Sequence, residues 1–347
     1  MNDPTRDAPT QMWREIRQIP AALERLIEES SVEIERAAER LRQLEPSFVT
    51  TIARGSSDHC ASYLKYAIEI HAGLAVASLG PSVASIYGAK LRLANSLGLA
   101  ISQSGGSPDI VESARQGRLG GALTIAITND TGSALANVCD YTFDIAAGPE
   151  KSVAATKTFV NSLAAGLLLL AHWLEDGELL DAMHALPGQC AEATSIRWDG
   201  LLERMADEDS LYVLGRGPTY SIANEVALKF KETCQIHAES YSAAEVMHGP
   251  VSIVGQGFPV LVLAGRDATR EATAGAIERL VSSGADVHTT AEKLSGTHEL
   301  ATVATGHPLT DPLSTIVSFY AFIEELARRR GMNPDQPPHL AKVTKTV

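Results

Sequence analysis

Cysteine, basic charge and long apolar runs are all scarce in this chain. Its four cysteines, Cys60, Cys139, Cys190 and Cys234, stand far apart and form no CxxC pair. That spacing excludes a zinc ribbon or a thioredoxin-like redox site and reads as reduced, packed thiols of a cytoplasmic protein. Lys and Arg number 29 against 42 Asp and Glu, a formal charge of -13. Such a balance argues against wrapping nucleic acid or lying on an anionic membrane, because both rely on cations to neutralise phosphates. A few local donors still suffice to hold a small anion. The most apolar run, Leu163 to Trp173, falls short of the roughly 20 residues that span a bilayer, and the polar N-terminus does not read as a signal peptide. No GxGxxG follows a strand candidate, and neither GxxxxGKS nor GxxxxGKT occurs, so neither a dinucleotide nor ATP is indicated. His71, His172, His184, His288, His298 and His307 show no metal-ligand spacing and read as packing or surface residues. No metal and no redox cofactor is expected.

What is present suits an α/β protein. With 347 residues, 45% hydrophobic and 20% charged, the chain can fill two globular units better than one. After a helical lead from Met12 to about Leu44, short apolar β-rich runs alternate with amphipathic stretches, the pattern of parallel sheets covered by helices. Strands are expected at Phe48 to Ala53, Ala75 to Leu79, Leu97 to Ser102, Leu123 to Thr128 and Tyr141 to Ile145, then at Leu211 to Leu214, Pro259 to Ala264, Ala285 to Thr289 and near Leu300 to Val303. Ala53-Arg-Gly-Ser-Ser and Gly215-Arg-Gly-Pro-Thr present the same strand, Arg-Gly turn and helix, so the second half reads as a diverged copy of the first. The expected organisation is a lead over 1–45, domains over 46–195 and 196–332, and a tail over 333–347, with a ligand at the carboxyl ends of the strands. The helical connection from Leu179 to Ala206 should break at Pro187-Gly188.

Two segments carry chemistry. Glu225, Lys229 and Glu232 recur at i, i+4 and i+7 and share one helix face, beside an apolar set of Ile222, Val226, Ala227 and Phe230. By itself this is most simply a solvated salt-bridge stripe. Within twenty residues follow His237-Ala-Glu-Ser-Tyr and Glu245-Val-Met-His248-Gly-Pro250. The other segment runs from Leu99 through Ile101-Ser-Gln-Ser-Gly-Gly-Ser-Pro108 into a helix. Its hydroxyls (Ser102, Ser104, Ser107), its glycines and a helix N-terminus form a cradle for an anion, and the turn Gly55-Ser-Ser57 offers the same groups. Either turn alone is as readily structural; the two together favour a sugar monophosphate.

These segments together resemble the sugar isomerase (SIS) domain family, and within it the isomerase half of the glutamine:fructose-6-phosphate amidotransferases. The matching stretches are Arg54-Gly-Ser-Ser, Ile101-Ser-Gln-Ser-Gly, Ala147-Gly-Pro-Glu, Val153-Ala-Ala-Thr-Lys-Thr-Phe159, Gly215-Arg-Gly, Ala227-Leu-Lys-Phe-Lys-Glu232, Ile236-His-Ala-Glu, Ala244-Glu-Val-Met-His-Gly-Pro250, Asp335-Gln-Pro and Leu340-Ala-Lys342. The resemblance implies two tandem flavodoxin-like SIS domains. It implies that Ser57, Ser102, Gln103, Ser104 and Ser107 hold the sugar phosphate, with backbone contacts from Val153 and Ala341. Glu232 would move a proton between C1 and C2 of the open-chain sugar. Lys229 would support that carboxylate, with Glu225 behind it. His248 would open the ring, reaching the site from the neighbouring subunit of a homodimer. Lys342 would correspond to the family's Schiff-base lysine, with Lys345 as the second candidate.

Two departures shape the functional expectation. Gly106 stands where the family usually carries an acid, and the chain starts at Met1-Asn2-Asp3 with a helical lead in place of a glutaminase domain. Without glutamine as nitrogen source, the reaction expected is isomerising deamination of glucosamine 6-phosphate to fructose 6-phosphate and ammonia. A galactosamine-6-phosphate deaminase, a ketosamine-phosphate deglycase and a plain aldose-ketose isomerase share the same motifs. A non-catalytic sugar-phosphate sensor fits less well, because the acidic lead lacks a basic recognition helix.

Overall fold

In the computed structural model residues 9–342 are described. They form two compact units, one of residues 19–150, 157–187 and 341–342 and the other of residues 9–18, 151–156 and 188–340. The helical lead is two helices, α1 (Gln11–Arg17) and α2 (Ile19–Leu44), separated by Gln18. Pro20 has no N–H to return to the preceding turn and so cannot continue the ladder of α1.

In the first unit α2 is followed by β1 (Phe48–Ile52), α3 (Ser56–His71), β2 (Val76–Ser78), α4 (Ser82–Ser85), β3 (Ser96–Ile101), α5 (Pro108–Leu119), β4 (Leu123–Thr128), α6 (Ala134–Val138), β5 (Tyr141–Asp144) and α7 (Lys157–Leu174). The strands pair in the order β2-β1-β3-β4-β5, every pair parallel. Strands β3 and β4 read as nearly unbroken apolar runs because both sheet faces are covered by helices. Helix α7 is long and apolar enough to cross a membrane, yet 89% of it is buried inside the structure, where it packs on α2 and α3. The side-chain nitrogen of its one internal amide, Asn161, donates to the carbonyls of Ala22 and Ile145 at 2.9 and 2.7 Å.

Helix α8 (Gly177–Ala193) leads into the second unit. It runs unbroken through Pro187, where a break was expected, and ends at Ala193. The buried stripe Leu179, Met183, Leu186, Cys190 and Ala193 keeps helical spacing across the proline, and its packing outweighs one lost backbone hydrogen bond. The second unit continues with α9 (Asp199–Arg204), β6 (Ser210–Gly215), α10 (Pro218–Cys234), β7 (His237–Ser242), two 3-10 turns (Glu245–His248 and Pro250–Ile253), β8 (Pro259–Val262), α11 (Arg270–Ser282), β9 (Asp286–Thr289), β10 (His298–Glu299) and α12 (Asp311–Arg329). Its sheet, again all parallel, is ordered β10-β9-β8-β6-β7. Read from β7, that is the order of the first sheet, the 2-1-3-4-5 arrangement of flavodoxin-like folds. The repeat extends to the backbone. Gly55 before α3 has φ 55° and ψ -133°, and Gly217 before α10 has φ 60° and ψ -137°.

Candidate active site

In a 2-1-3-4-5 sheet the chain departs in opposite directions after the first and third strands, and ligands bind at the crevice this opens. In the first unit the turns at that point are Arg54–Ser57 after β1 and Ser102–Ser107 after β3. They are joined by Arg54, whose Nε and a terminal nitrogen both lie 2.8 Å from one carboxylate oxygen of the fully buried Asp109. The pairing fixes both turns around the N-terminus of α5. Within the second turn, Ser102 Oγ accepts from the Gly105 N–H at 3.2 Å, and Ser104 Oγ from the Gly106 N–H at 3.3 Å. Gly105 has φ 56°, and a Cβ there would stand 2.1 Å from Ser133 Oγ, so only glycine fits. Ser107 is the N-cap residue of α5 but spends no hydroxyl on capping, and Pro108 supplies the first helical position. The Gln103 carbonyl takes the Asn129 N–H at 3.0 Å, so that its side chain is not needed to hold the turn.

The corresponding turn after β8 differs. There Asp267 turns its own carboxylate onto the Thr269 N–H at 2.8 Å and the Thr269 hydroxyl at 2.5 Å, putting negative charge where an anion would sit. Of the two related crevices, the first suits a phosphate and the second does not.

The charged face of α10 is not solvated. Glu225 and Lys229 are fully buried, as are Ile222, Val226, Ala227 and Phe230 on the other face, because the helix is covered by β6, β7 and α12. Lys229 Nζ lies 3.0 Å from Glu225 Oε1 and 2.7 Å from Glu232 Oε2. The Tyr320 hydroxyl, on α12, donates to Glu225 Oε1 at 3.4 Å. Burial alone would lower the pKa of Lys229, but Glu225 and Glu232 raise it well above the ordinary lysine value. Glu232 alone of the three reaches solvent, with 19% of its side chain exposed. The arrangement is a carboxylate paired with a buried ammonium at the end of a charge relay, placed to accept a carbon-bound proton.

His248 is not among these contacts. It lies exposed at the end of the first 3-10 turn. Gly249, at φ 148°, lets the second turn follow directly, while Val246 is buried in the core and the Tyr212 hydroxyl reaches the Pro250 carbonyl at 3.1 Å. The turn is rigidly based and its histidine faces outward.

Val153 donates its N–H to the Asp335 carbonyl at 3.3 Å, leaving its own carbonyl for another contact. Asp335 also receives the N–H groups of Gln11 and Met12 on its carboxylate, each at 2.7 Å. The buried Glu15 takes the N–H groups of Lys151 and Ser152 at 2.5 and 3.2 Å. Helix α1 thereby holds the 151–153 segment in place. Ala341 is exposed. Its neighbour Lys342 has Nζ 2.6 Å from Glu150 Oε2, the same carboxyl group that binds the Thr158 N–H and hydroxyl. An amine forms an imine as the neutral base, whereas this one stands as the cationic partner of a buried carboxylate. Lys345 lies outside the described residues.

Arg54 with Asp109, Glu15, Glu150 and Asp335 were not singled out as site residues from sequence. Arg54, Glu150 and Asp335 sit inside motifs that resemble the family, which was the available signal; Glu15 carried none.

A model of the SIS domain matches residues 48–172 and 204–311, that is, both sheets and the helices that connect their strands. The chain belongs to the SIS domain family. Among curated relatives, the glutamine–fructose-6-phosphate aminotransferase (isomerizing) of Halobacterium salinarum is 33% identical over 358 residues, covering 95% of this chain and 58% of the relative. This SIS chain thus spans little more than half the length of that relative. Among solved structures, a suggested phosphosugar isomerase from Silicibacter pomeroyi is 53% identical with a TM-score of 0.91, covering 94% of this chain and 100% of the other. The C-terminal domain of glucosamine-fructose-6-phosphate aminotransferase from Francisella tularensis is 26% identical with a TM-score of 0.81, covering 95% of this chain and 99% of that one. The two-sheet SIS repeat accounts for both likenesses.

Proposed function

We propose that this SIS chain is an isomerising deaminase that converts glucosamine 6-phosphate and water to fructose 6-phosphate and ammonia. The observation that carries the reading is the buried Glu225–Lys229–Glu232 relay, with only Glu232 open to a ligand. Ser57, Ser102, Gln103, Ser104 and Ser107 take the phosphate and sugar hydroxyls. Glu232 removes the proton on C2 of the open-chain amino sugar, carries it as the carboxylic acid and returns it to C1, with the Lys229 ammonium beside it throughout. The carbon-nitrogen bond becomes a C2 imine, which water hydrolyses with release of ammonia. The substrate's own C1 aldehyde takes up the electron pair and becomes the C1 alcohol of the ketose, so Lys342 need not leave Glu150.

Two further observations support this reading. The named relatives couple isomerisation to fructose 6-phosphate and nitrogen. Toward the ketose, water is the only co-substrate, whereas the reverse direction needs a source of ammonia. All four cysteines of this chain are buried, and burial raises the thiols of Cys139, Cys190 and Cys234 to about 12, so these three offer no thiolate to strip nitrogen from an amide. His248, exposed and apart from the relay, serves the sugar ring bound by a second copy of the chain.

The test is to incubate the protein with glucosamine 6-phosphate and assay fructose 6-phosphate and ammonia in equal amounts. Glu232→Gln should lower kcat by about 10²–10⁴-fold, the usual worth of a positioned general base, with substrate binding kept. Turnover unchanged in that variant refutes the assignment of the base; turnover of a different phosphosugar alone refutes the substrate.

A further inference from the structure

The second sheet carries a cluster of side chains that the proposed reaction does not use. Asp286 and His288 lie two residues apart on β9 and so face the same side of the sheet, while Val287 between them enters the apolar core. His298, on the edge strand β10, is paired in register with His288. The three side chains converge: Asp286 Oδ1 is 3.6 Å from His288 Nε2 and 3.2 Å from His298 Nε2, and the two imidazole rings stack at 4.6 Å. Arg204 from α9 binds the other carboxylate oxygen of Asp286, with Nε to Oδ2 at 2.5 Å, and its charge is shared with Glu208 and the Gly257 carbonyl. That contact turns Oδ1 toward the histidines.

His288 marks the cluster as a ligand site. It is 3% exposed, and among the described residues neither of its ring nitrogens has a hydrogen-bond partner. A buried imidazole left without partners is costly, and a bound group that satisfies it removes the penalty. Ligand atoms on a tetrahedral cation with bonds near 2.1 Å stand roughly 3.4 Å apart, and the two separations above bracket that value. Two imidazoles and one carboxylate suit a borderline transition cation better than calcium or magnesium. His298 is largely exposed and gives the ion a path from solvent.

The geometry points to a divalent cation site of the zinc class, formed by Asp286, His288 and His298, that clamps the two-residue edge strand β10 to β9. Three protein ligands leave at least one position for water. The ion would close the loop 290–297 between the two strands and complete the otherwise weak edge of the sheet. Arg204 acts behind the site, orienting Asp286 as outer hydrogen bonds commonly orient metal-binding carboxylates. The site is independent of the sugar chemistry and stands if that reading fails.

The experiment uses the full chain, stripped with a chelator and dialysed. Calorimetric titration with zinc should show one equivalent bound per chain, and cobalt should give the visible absorption of a four- or five-coordinate ion. His298→Ala, an exposed change that leaves the core intact, should weaken zinc binding by at least about tenfold and abolish the cobalt band. Asp286→Asn should do the same, with circular dichroism as a check on its fold. Zinc should also raise the Tm of the stripped wild-type protein and not that of His298→Ala. Absence of stoichiometric binding, or equal binding by wild type and His298→Ala, overturns the site.

Discussion

Lys229 shows how far burial changes the meaning of a charge pattern. On a solvated helix the spacing of Glu225, Lys229 and Glu232 would be worth a few tenths of a kcal/mol per pair. Here the ammonium and one carboxylate are wholly out of water, and removing the cation leaves buried negative charge without compensation. Lys229→Met should therefore lower stability by about 3–5 kcal/mol, the range for breaking a buried ion pair, read by urea unfolding at neutral pH. The raised pKa of Lys229 adds a sign that can be checked. Its folded value lies above its unfolded one, so the folded state holds the proton more tightly. The resulting stability is complete below the unfolded lysine pKa of about 10.4 and is lost as pH rises beyond it. The wild type should show this alkaline loss, and Lys229→Met should lack that part of it. A flat difference between the two proteins from pH 8 to pH 11 would contradict the assignment.

At the scale of elements, α1 is a seven-residue helix that could not persist alone, and its order comes from what it binds. Asp335 satisfies its first two N–H groups, and Glu15 returns two acceptors to residues 151 and 152. Asp335→Asn should loosen α1 by about 1–2 kcal/mol, the usual worth of an N-terminal cap. Hydrogen exchange should quicken at Lys151 and Ser152 together with α1, because the same helix carries both ends of the contact. Exchange that quickens at Gln11 and Met12 alone would show that α1 does not support the 151–153 segment.

The elements also show what local sequence reveals. The strands with nearly continuous apolar runs, such as Leu123–Thr128, were legible because burial on both faces leaves few polar positions, here Thr124 and Thr128. Strand β7 was not, since its residues His237–Ser242 are mostly polar and half-buried, as befits the edge of the sheet. The last strand, expected near Leu300 to Val303, lies slightly earlier at His298–Glu299, too short for periodicity to locate. The relay on α10 was legible as one helix face, but its burial was set by β6, β7 and α12, far away in sequence. The grouping of Asp286 and His288 with His298 depends on the register of β9 against β10, which no spacing within the chain encodes.

At the scale of the molecule, one fold was used twice and only partly for the same purpose. The two sheets share strand order and the backbone of their first Arg-Gly turn, but the Ser-rich turn after β3 has an acid-blocked counterpart after β8. The buried relay lies on α10, the counterpart of α3, whose Lys65 is instead half-exposed, 4.0 Å from Glu69. Division of labour between the repeats leaves His248 without a partner in the relay, exposed on a turn whose base is fixed by Val246 and Tyr212. If His248 serves a second copy, activity should be restored by mixing two inactive variants, Glu232→Gln and His248→Ala. After unfolding and refolding together, half of the dimers pair one chain of each kind. Each such dimer has one site with both native residues and one with neither. Activity should then recover to about a quarter of the wild-type value, as expected for an isologous pair that shares its sites. Each variant refolded alone should stay inactive, and a mixture that stays inactive as well, with dimers present by light scattering, would place His248 at its own chain's site.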